Sequence, residues 1–173
     1  MSSRRIFGIL AVVLSTFLAA GCASHPGSGP GAGRTGQITI PYTDSADLPI
    51  YASRPTIEAS INGVSGRFIL DTGAASPSLT TTAVRRCGIA ESRSSTIGVD
   101  TSGSEVPLMS ATNVTVKLAP EFSIHFPTVL VLPTQLDAGS GTNQDFFGVL
   151  DYRTLRAGHA VLDTKNRTLT MSR

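Results

Sequence analysis

Apolar and polar positions alternate along much of the chain, and the alternation predicts strands more often than helices. Thr56 to Ile61 sets Ile57, Ala59 and Ile61 on one face. Asn62-Gly63-Val64-Ser65-Gly66 follows with hairpin chemistry, because Asn and Gly tolerate positive φ. Arg67 to Leu70 is the return strand, and Asp71-Thr72-Gly73 lies at its end. Ser78 or Thr80 is placed to cap a short helix running through Cys87. Arg85 and Arg86 fall in its last turn and Gly88 just past it, as helix C-termini favour. Ile97 to Pro107 predicts a hairpin with the polar tip Asp100-Thr101-Ser102-Gly103, and Asn113 to Leu118 alternates again. Phe122 to Leu132 predicts a longer apolar strand region, broken by Pro127 and ended by Pro133. Leu136 to Gln144 reads as a loop and Leu150 to Arg156 as a second short helix. Ala160 to Asp163 and Thr168 to Met171 form a last hairpin around Lys165-Asn166. The whole is mostly β with one or two short helices.

The first residues have a different pattern. Arg4 and Arg5 precede an apolar stretch, Ile6 to Ala20, interrupted only by Gly8, Ser15 and Thr16. It is shorter than the roughly 20 residues a membrane span needs, and it reads as an export signal. Leu18-Ala19-Ala20-Gly21-Cys22 resembles a lipobox, whose cysteine becomes the lipidated first residue of the mature chain. The alternative is an ordinary signal peptide that holds a cysteine. Ser3-Arg4-Arg5-Ile6-Phe7 resembles a twin-arginine signal, and Sec export stays equally open. Residues 1–21 are therefore expected to be a lipoprotein signal peptide. Residues 22–36, rich in Gly, Ser and Pro, are expected to be a tether, and 37–173 a single domain. The expected location is the cell envelope, with a palmitate-type lipid anchor on Cys22 in the cell membrane or outer membrane.

Charge and cysteine count narrow the classes. The chain has 14 basic and 12 acidic residues, and losing Arg4 and Arg5 leaves 12 of each. A near-neutral chain without a Lys/Arg cluster gives no reason to expect a nucleic-acid partner. Once Cys22 is acylated, Cys87 is the remaining thiol, so no intrachain disulfide forms, and Cys87 reads as a small buried apolar residue. His25, His125 and His159 lack zinc-ligand spacing, so no metal or other cofactor is expected. Gly31-Ala32-Gly33-Arg34-Thr35-Gly36 matches the dinucleotide fingerprint formally, but no strand precedes it and no βαβ pattern follows. No Gly-x-Ser-x-Gly unit marks a serine hydrolase.

The specific signal is at Asp71. Ile61-Asn62-Gly63, then Arg67-Phe68-Ile69-Leu70-Asp71-Thr72-Gly73-Ala74, resembles the active-site segment of retropepsin-like aspartic proteases, the viral enzymes and their bacterial relatives. Ala83-Val84-Arg85-Arg86-Cys87-Gly88-Ile89 looks like the family's short helix, with Cys87 replacing a leucine. Val129-Leu130-Val131-Leu132-Pro133 looks like its later apolar strand. Gly148 to Leu155 and Ala160 to Asp163 look like its closing helix and strand. The resemblance spans roughly Pro55 to Arg173. It implies a closed β-barrel or sandwich half-domain, equivalent to half of a pepsin.

The resemblance also implies chemistry. Two carboxylates hold one water: one takes its proton, and the other, protonated, donates to the scissile carbonyl oxygen. Like charges this close cannot both ionise, so the pair shares a proton. One Asp-Thr-Gly per chain implies a homodimer, with Asp71 from each copy and a peptide or protein substrate. Thr72, Gly73 and Ala74 would support the loop, Thr72 bracing the dimer centre through its hydroxyl. Gly98, Asp100 and Gly103 would belong to the flap that closes over substrate. Asp163-Thr164 echoes the active-site pair, but Lys165 replaces the glycine, and it reads as a turn.

One position departs from the family pattern, an apolar-apolar-Gly unit behind the catalytic loop. Phe146-Phe147-Gly148 satisfies it, but spacing favours Val149-Leu150-Asp151, with Asp151 at the glycine and Arg153 at the usual acidic position. That substitution, and a flap tip without an obvious hydrophobic residue, motivate the alternative of an inactive retropepsin-fold binding or structural lipoprotein.

Overall fold

The computed structural model describes residues 36–45, 53–99, 103–132 and 145–173. The expected signal peptide, Cys22 and nearly all of the tether lie outside the described residues, as do Asp100, Pro133 and the 136–144 loop. Strands β1 (Gln37–Pro41), β2 (Thr43–Asp44), β3 (Pro55–Ile61), β4 (Val64–Asp71) and β5 (Ser78–Thr80) come first. Helix α1 (Thr81–Arg86) precedes β6 (Glu91–Val99), β7 (Glu105–Ala119), β8 (Phe122–Leu132) and β9 (Phe146–Asp151). Helix α2 (Tyr152–Ala157), β10 (Val161–Asp163) and β11 (Thr168–Ser172) complete the order.

Six strands, in the order β3-β4-β9-β5-β8-β7, close into a barrel, because β7 pairs back onto β3 at Ser60↔Lys117. Strands β2 and β6 extend this sheet, while β1, β11 and β10 form a separate three-stranded one with β11 in the middle. Ile57, Ile61, Phe68, Leu79, Val116, Phe147 and Leu150 are buried in the barrel core. Each such side chain contributes about 1.5–3 kcal/mol of transfer free energy. The mostly β, closed-barrel expectation with two short helices is met.

Three elements differ in detail from the sequence reading. The first hairpin is tighter: Asn62 (φ 50°) and Gly63 (φ 80°) alone make the turn, so β4 starts at Val64. Strand β8 is not broken at Pro127. The β7 ladder pairs Thr112↔Thr128 and Val114↔Phe126 and skips the position between. Proline has no N–H to lose there, and Asn113 opposite turns to φ 56°. The segment expected as a helix from Leu150 is the end of strand β9, and α2 starts at Tyr152 with Asp151 as its N-cap. Of the two cap candidates in the sequence, Thr80 is the one that caps helix α1.

Candidate active site

Asp71 is the last residue of β4, and the strand explains its placement. Phe68, Ile69 and Leu70 are all buried because β4 lies between β3 and β9 with both faces covered. Phe68 and Leu70 join the barrel core, while Ile69 packs on the other face with Phe146, Val149 and Ala74. A strand covered on both faces shows a continuous apolar run instead of alternation. Asp71 therefore emerges at a fixed point at the barrel end, with its side chain 17% exposed.

The loop after it is organised around the carboxylate. Gly73 N–H donates to Asp71 Oδ1 at 2.9 Å, and Ala74 N–H donates to the Asp71 carbonyl at 3.2 Å. A Cβ on Gly73 would stand 3.3 Å from Oδ1, so glycine permits this approach. Thr72 and Gly73 are exposed at the turn. The other oxygen, Oδ2, accepts from Nη1 of Arg54, which forms an ion pair with Asp71. Arg54 was not among the residues singled out from the sequence. It precedes β3 by one residue, outside any alternating run, so no periodic signal marks it.

Strand β9 runs parallel to β4, and its register sets Asp151 beside Asp71. Val149-Leu150-Asp151 therefore runs alongside Ile69-Leu70-Asp71. Gly148 has a different neighbour: a Cβ there would lie 2.0 Å from the Ser78 carbonyl oxygen, so its close approach is to β5. The Asp151 side chain does not need the space of a glycine, because it is committed to α2. Its Oδ1 accepts from Thr154 N–H at 3.0 Å and from the Thr154 hydroxyl at 2.5 Å. Asp151 is fully buried, and Oδ2 has no hydrogen-bond partner. A cavity of about 470 Å³ has Asp151, Arg153 and the Ala75–Pro77 segment in its wall, with the first half of β8 opposite. Asp71 does not line it.

The supports of the site are polar as well as apolar. The buried Thr80 hydroxyl donates to Phe146 C=O at 3.0 Å and accepts from Ala83 N–H at 3.0 Å, tying α1 to β9. Asn62 Nδ2 donates to Cys87 C=O at 2.9 Å, joining the hairpin tip to the end of α1. Cys87 is buried, and burial pushes its thiol up despite the opposing charge of Arg86. Gly66 leaves room for Phe147, whose ring would lie 2.3 Å from a Cβ at that position.

The other expected site residues fall as follows. Gly98 is in β6, paired with Val106 across the β6–β7 hairpin, and Gly103 (φ 84°) is exposed near its tip. The arm carries exposed apolar residues just before the tip, Ile97 (54%) and Val99 (50%). Asp163 ends β10 and holds the turn after it: its Oδ1 accepts from Lys165 N–H and Asn166 N–H, each at 2.9 Å. His125 bonds Thr115 at 3.2 Å on the far strands, and among the described residues no cluster of His, Cys, Asp and Glu suits a metal.

No curated protein matches the chain. Its fold is similar to the retroviral protease-like domain of Ddi1 from Leishmania major, at 19% identity and TM-score 0.50, over 68% of this chain and 87% of that one. It is also similar to a retropepsin-like aspartic protease from Rickettsia conorii (16% identity, TM-score 0.47, 79% and 90% covered). A third similar structure is the EIAV protease complexed with the inhibitor HBY-793 (25% identity, TM-score 0.44, 64% and 92% covered). The sequence profile of a family described as aspartyl protease matches residues 57–150. That span holds Asp71-Thr72-Gly73, α1, the β6–β7 hairpin and β9 as far as Leu150. It is more than half of the chain, and with the barrel around Asp71 it assigns this protein to the aspartyl protease family.

Proposed function

We propose that this protein is an aspartic endopeptidase that works as a homodimer, with Asp71 of each copy holding the attacking water. The observation that carries the reading is the geometry at Asp71. The carboxylate stands at the end of a buried strand, and Gly73 N–H holds Oδ1 at 2.9 Å. One chain supplies one such carboxylate, and the reaction needs two sharing a proton. Thr72 and Gly73, exposed beside it, are available to a second copy's loop. The half-exposed Ile97 and Val99 suit a flap that closes on apolar substrate side chains and excludes water. The Asp151 side chain caps α2 through Thr154 N–H, which supports this reading over an inactive binding protein.

The test is peptide cleavage by the purified protein. Asp71→Asn keeps the shape and removes the ionisable group, so cleavage should vanish while the circular dichroism spectrum stays. Wild-type rate should rise faster than linearly with protein concentration and follow a bell in pH with an acidic optimum. A folded, dimeric protein that cleaves nothing in a broad peptide library between about pH 3 and 8 would refute the reading.

The lipobox-like run ending in Cys22 supports the companion proposal that the mature chain is exported and lipid-anchored in the cell envelope. Cys22→Ser should release the protein from membranes or leave its signal uncleaved. A wild-type mature N-terminus without an acyl mass would contradict it.

A further inference from the structure

Both oxygens of Asp71 are engaged within one chain, and the second engagement conflicts with the chemistry proposed for the site. Oδ1 holds Gly73 N–H, which an active carboxylate can keep. Oδ2 holds the Arg54 guanidinium. Arginine is always charged and prefers an ionised carboxylate. A proton-sharing pair needs one of its two carboxyls neutral and needs its open side for the water and the partner carboxylate. Arg54 on Oδ2 and a working pair are therefore alternatives.

We propose that Arg54 is an intrachain latch: it occupies Asp71 in the unassembled chain and must swing away when a second copy's Asp71 arrives. This deepens, and rests on, the dimeric peptidase reading. Three features make the contact suited to release. The pair lies at the barrel end, with the Arg54 side chain 35% exposed, so the guanidinium can leave toward solvent. The backbone at Arg54 is fixed, since its carbonyl accepts from Ser45 N–H at 3.0 Å and from the Thr56 hydroxyl at 3.2 Å. Only the side chain has to move. The neighbouring Thr72 and Gly73 are exposed, so the approaching loop meets no other covering element among the described residues. Arg54 acts on Asp71, not on substrate, and is a positioning residue that couples assembly to activity.

The experiment measures dimer dissociation constants for the full chain by sedimentation equilibrium in density-matched detergent, with peptide cleavage assayed on the same samples. The variants are Arg54→Gln, Arg54→Met and Arg54→Lys, each checked for an unchanged circular dichroism spectrum. Two latches open per dimer. A partly exposed ion pair is worth about threefold each, so Arg54→Gln and Arg54→Met should dimerise about tenfold more tightly than wild type. Arg54→Lys keeps the charge and should stay within about twofold of wild type. General damage to the fold would weaken assembly, so the sign separates the latch from a structural role. Equal or weaker dimerisation by both neutral variants overturns the latch, as does a chain that stays monomeric with or without Arg54. If dimers tighten as expected but neither wild-type nor variant dimers cleave any peptide, the latch stands and the peptidase reading falls.

Discussion

Gly148→Ala tests whether the contact between β9 and β5 holds the candidate site in register. A Cβ at this position would lie 2.0 Å from the Ser78 carbonyl oxygen and 3.0 Å from Leu79 Cα. Carbon and oxygen touch comfortably at about 3.3 Å or more, so the methyl overlaps the oxygen by over an ångström. The obstacle is backbone. Strand β5 pairs with β9 on one side and with β8 on the other, so it cannot rotate clear as a side chain would. Overpacking a core that can adjust costs about 1–3 kcal/mol. Here β9 itself must shift, and the expected loss is at or above about 3 kcal/mol, a large share of a typical 5–15 kcal/mol stability. Asp151 is three residues on and registers with Asp71, so cleavage should fall as well. The internal control is Gly63→Ala. Its φ is 80°, but nothing lies within 4 Å of an added Cβ, so only backbone strain of about 1–2 kcal/mol applies. The chain has no tryptophan, so urea unfolding is followed by far-UV circular dichroism. If Gly148→Ala costs no more than Gly63→Ala, the close-approach reasoning is wrong.

Asp151→Gly should leave stability unchanged or raise it by up to about 1 kcal/mol in the same urea assay. Glycine at an N-cap loses only a few tenths, and the change removes a buried oxygen that has no partner; a loss above about 1 kcal/mol would show that the Thr154 bonds to Oδ1 outweigh the cost of burying Oδ2. At the β10–β11 turn, Asn166 bonds and then the Lys165 N–H hold the Asp163 carboxyl below its ordinary range. A depressed folded value contributes stability above the unfolded value, about 3.9, that is lost as pH falls through the folded one. The stability difference between wild type and Asp163→Ala should therefore shrink on acidification through that window, and a difference that is flat with pH would exclude the linkage.

Local signals were legible where the backbone pattern is local. The β6–β7 hairpin falls where the sequence predicts one, with Ile97 opposite Pro107. Thr80 and Gly88 bracket α1, and Lys165-Asn166 turn the last hairpin. Asp71 was legible because hairpin, apolar strand and Asp-Thr-Gly-Ala occur in order. Strand β9 was not, since six buried residues show no period, and Asp151 followed by Tyr152 to Ala157 reads as helix throughout. Strand β1 alternates over only five residues beside a linker-like segment, and its partner β11 lies at the other end of the domain. Arg54 meets Asp71 only once β3 and β4 pair, which composition and periodicity do not encode.

The parallel pairing of β4 with β9 has a consequence for the order of events in folding. It joins Asp71 to Asp151, 80 residues apart, and needs β5 to β8 in place on the far side of the barrel. Long-range parallel contacts form late, because the entropy of closing so long a loop precedes any gain from the contact. The β3–β4 hairpin can form early, yet Asp71 at its end has no finished loop behind it until the last barrel strand docks. A chain still emerging from synthesis thus carries its carboxylate without the frame that holds it in the finished barrel.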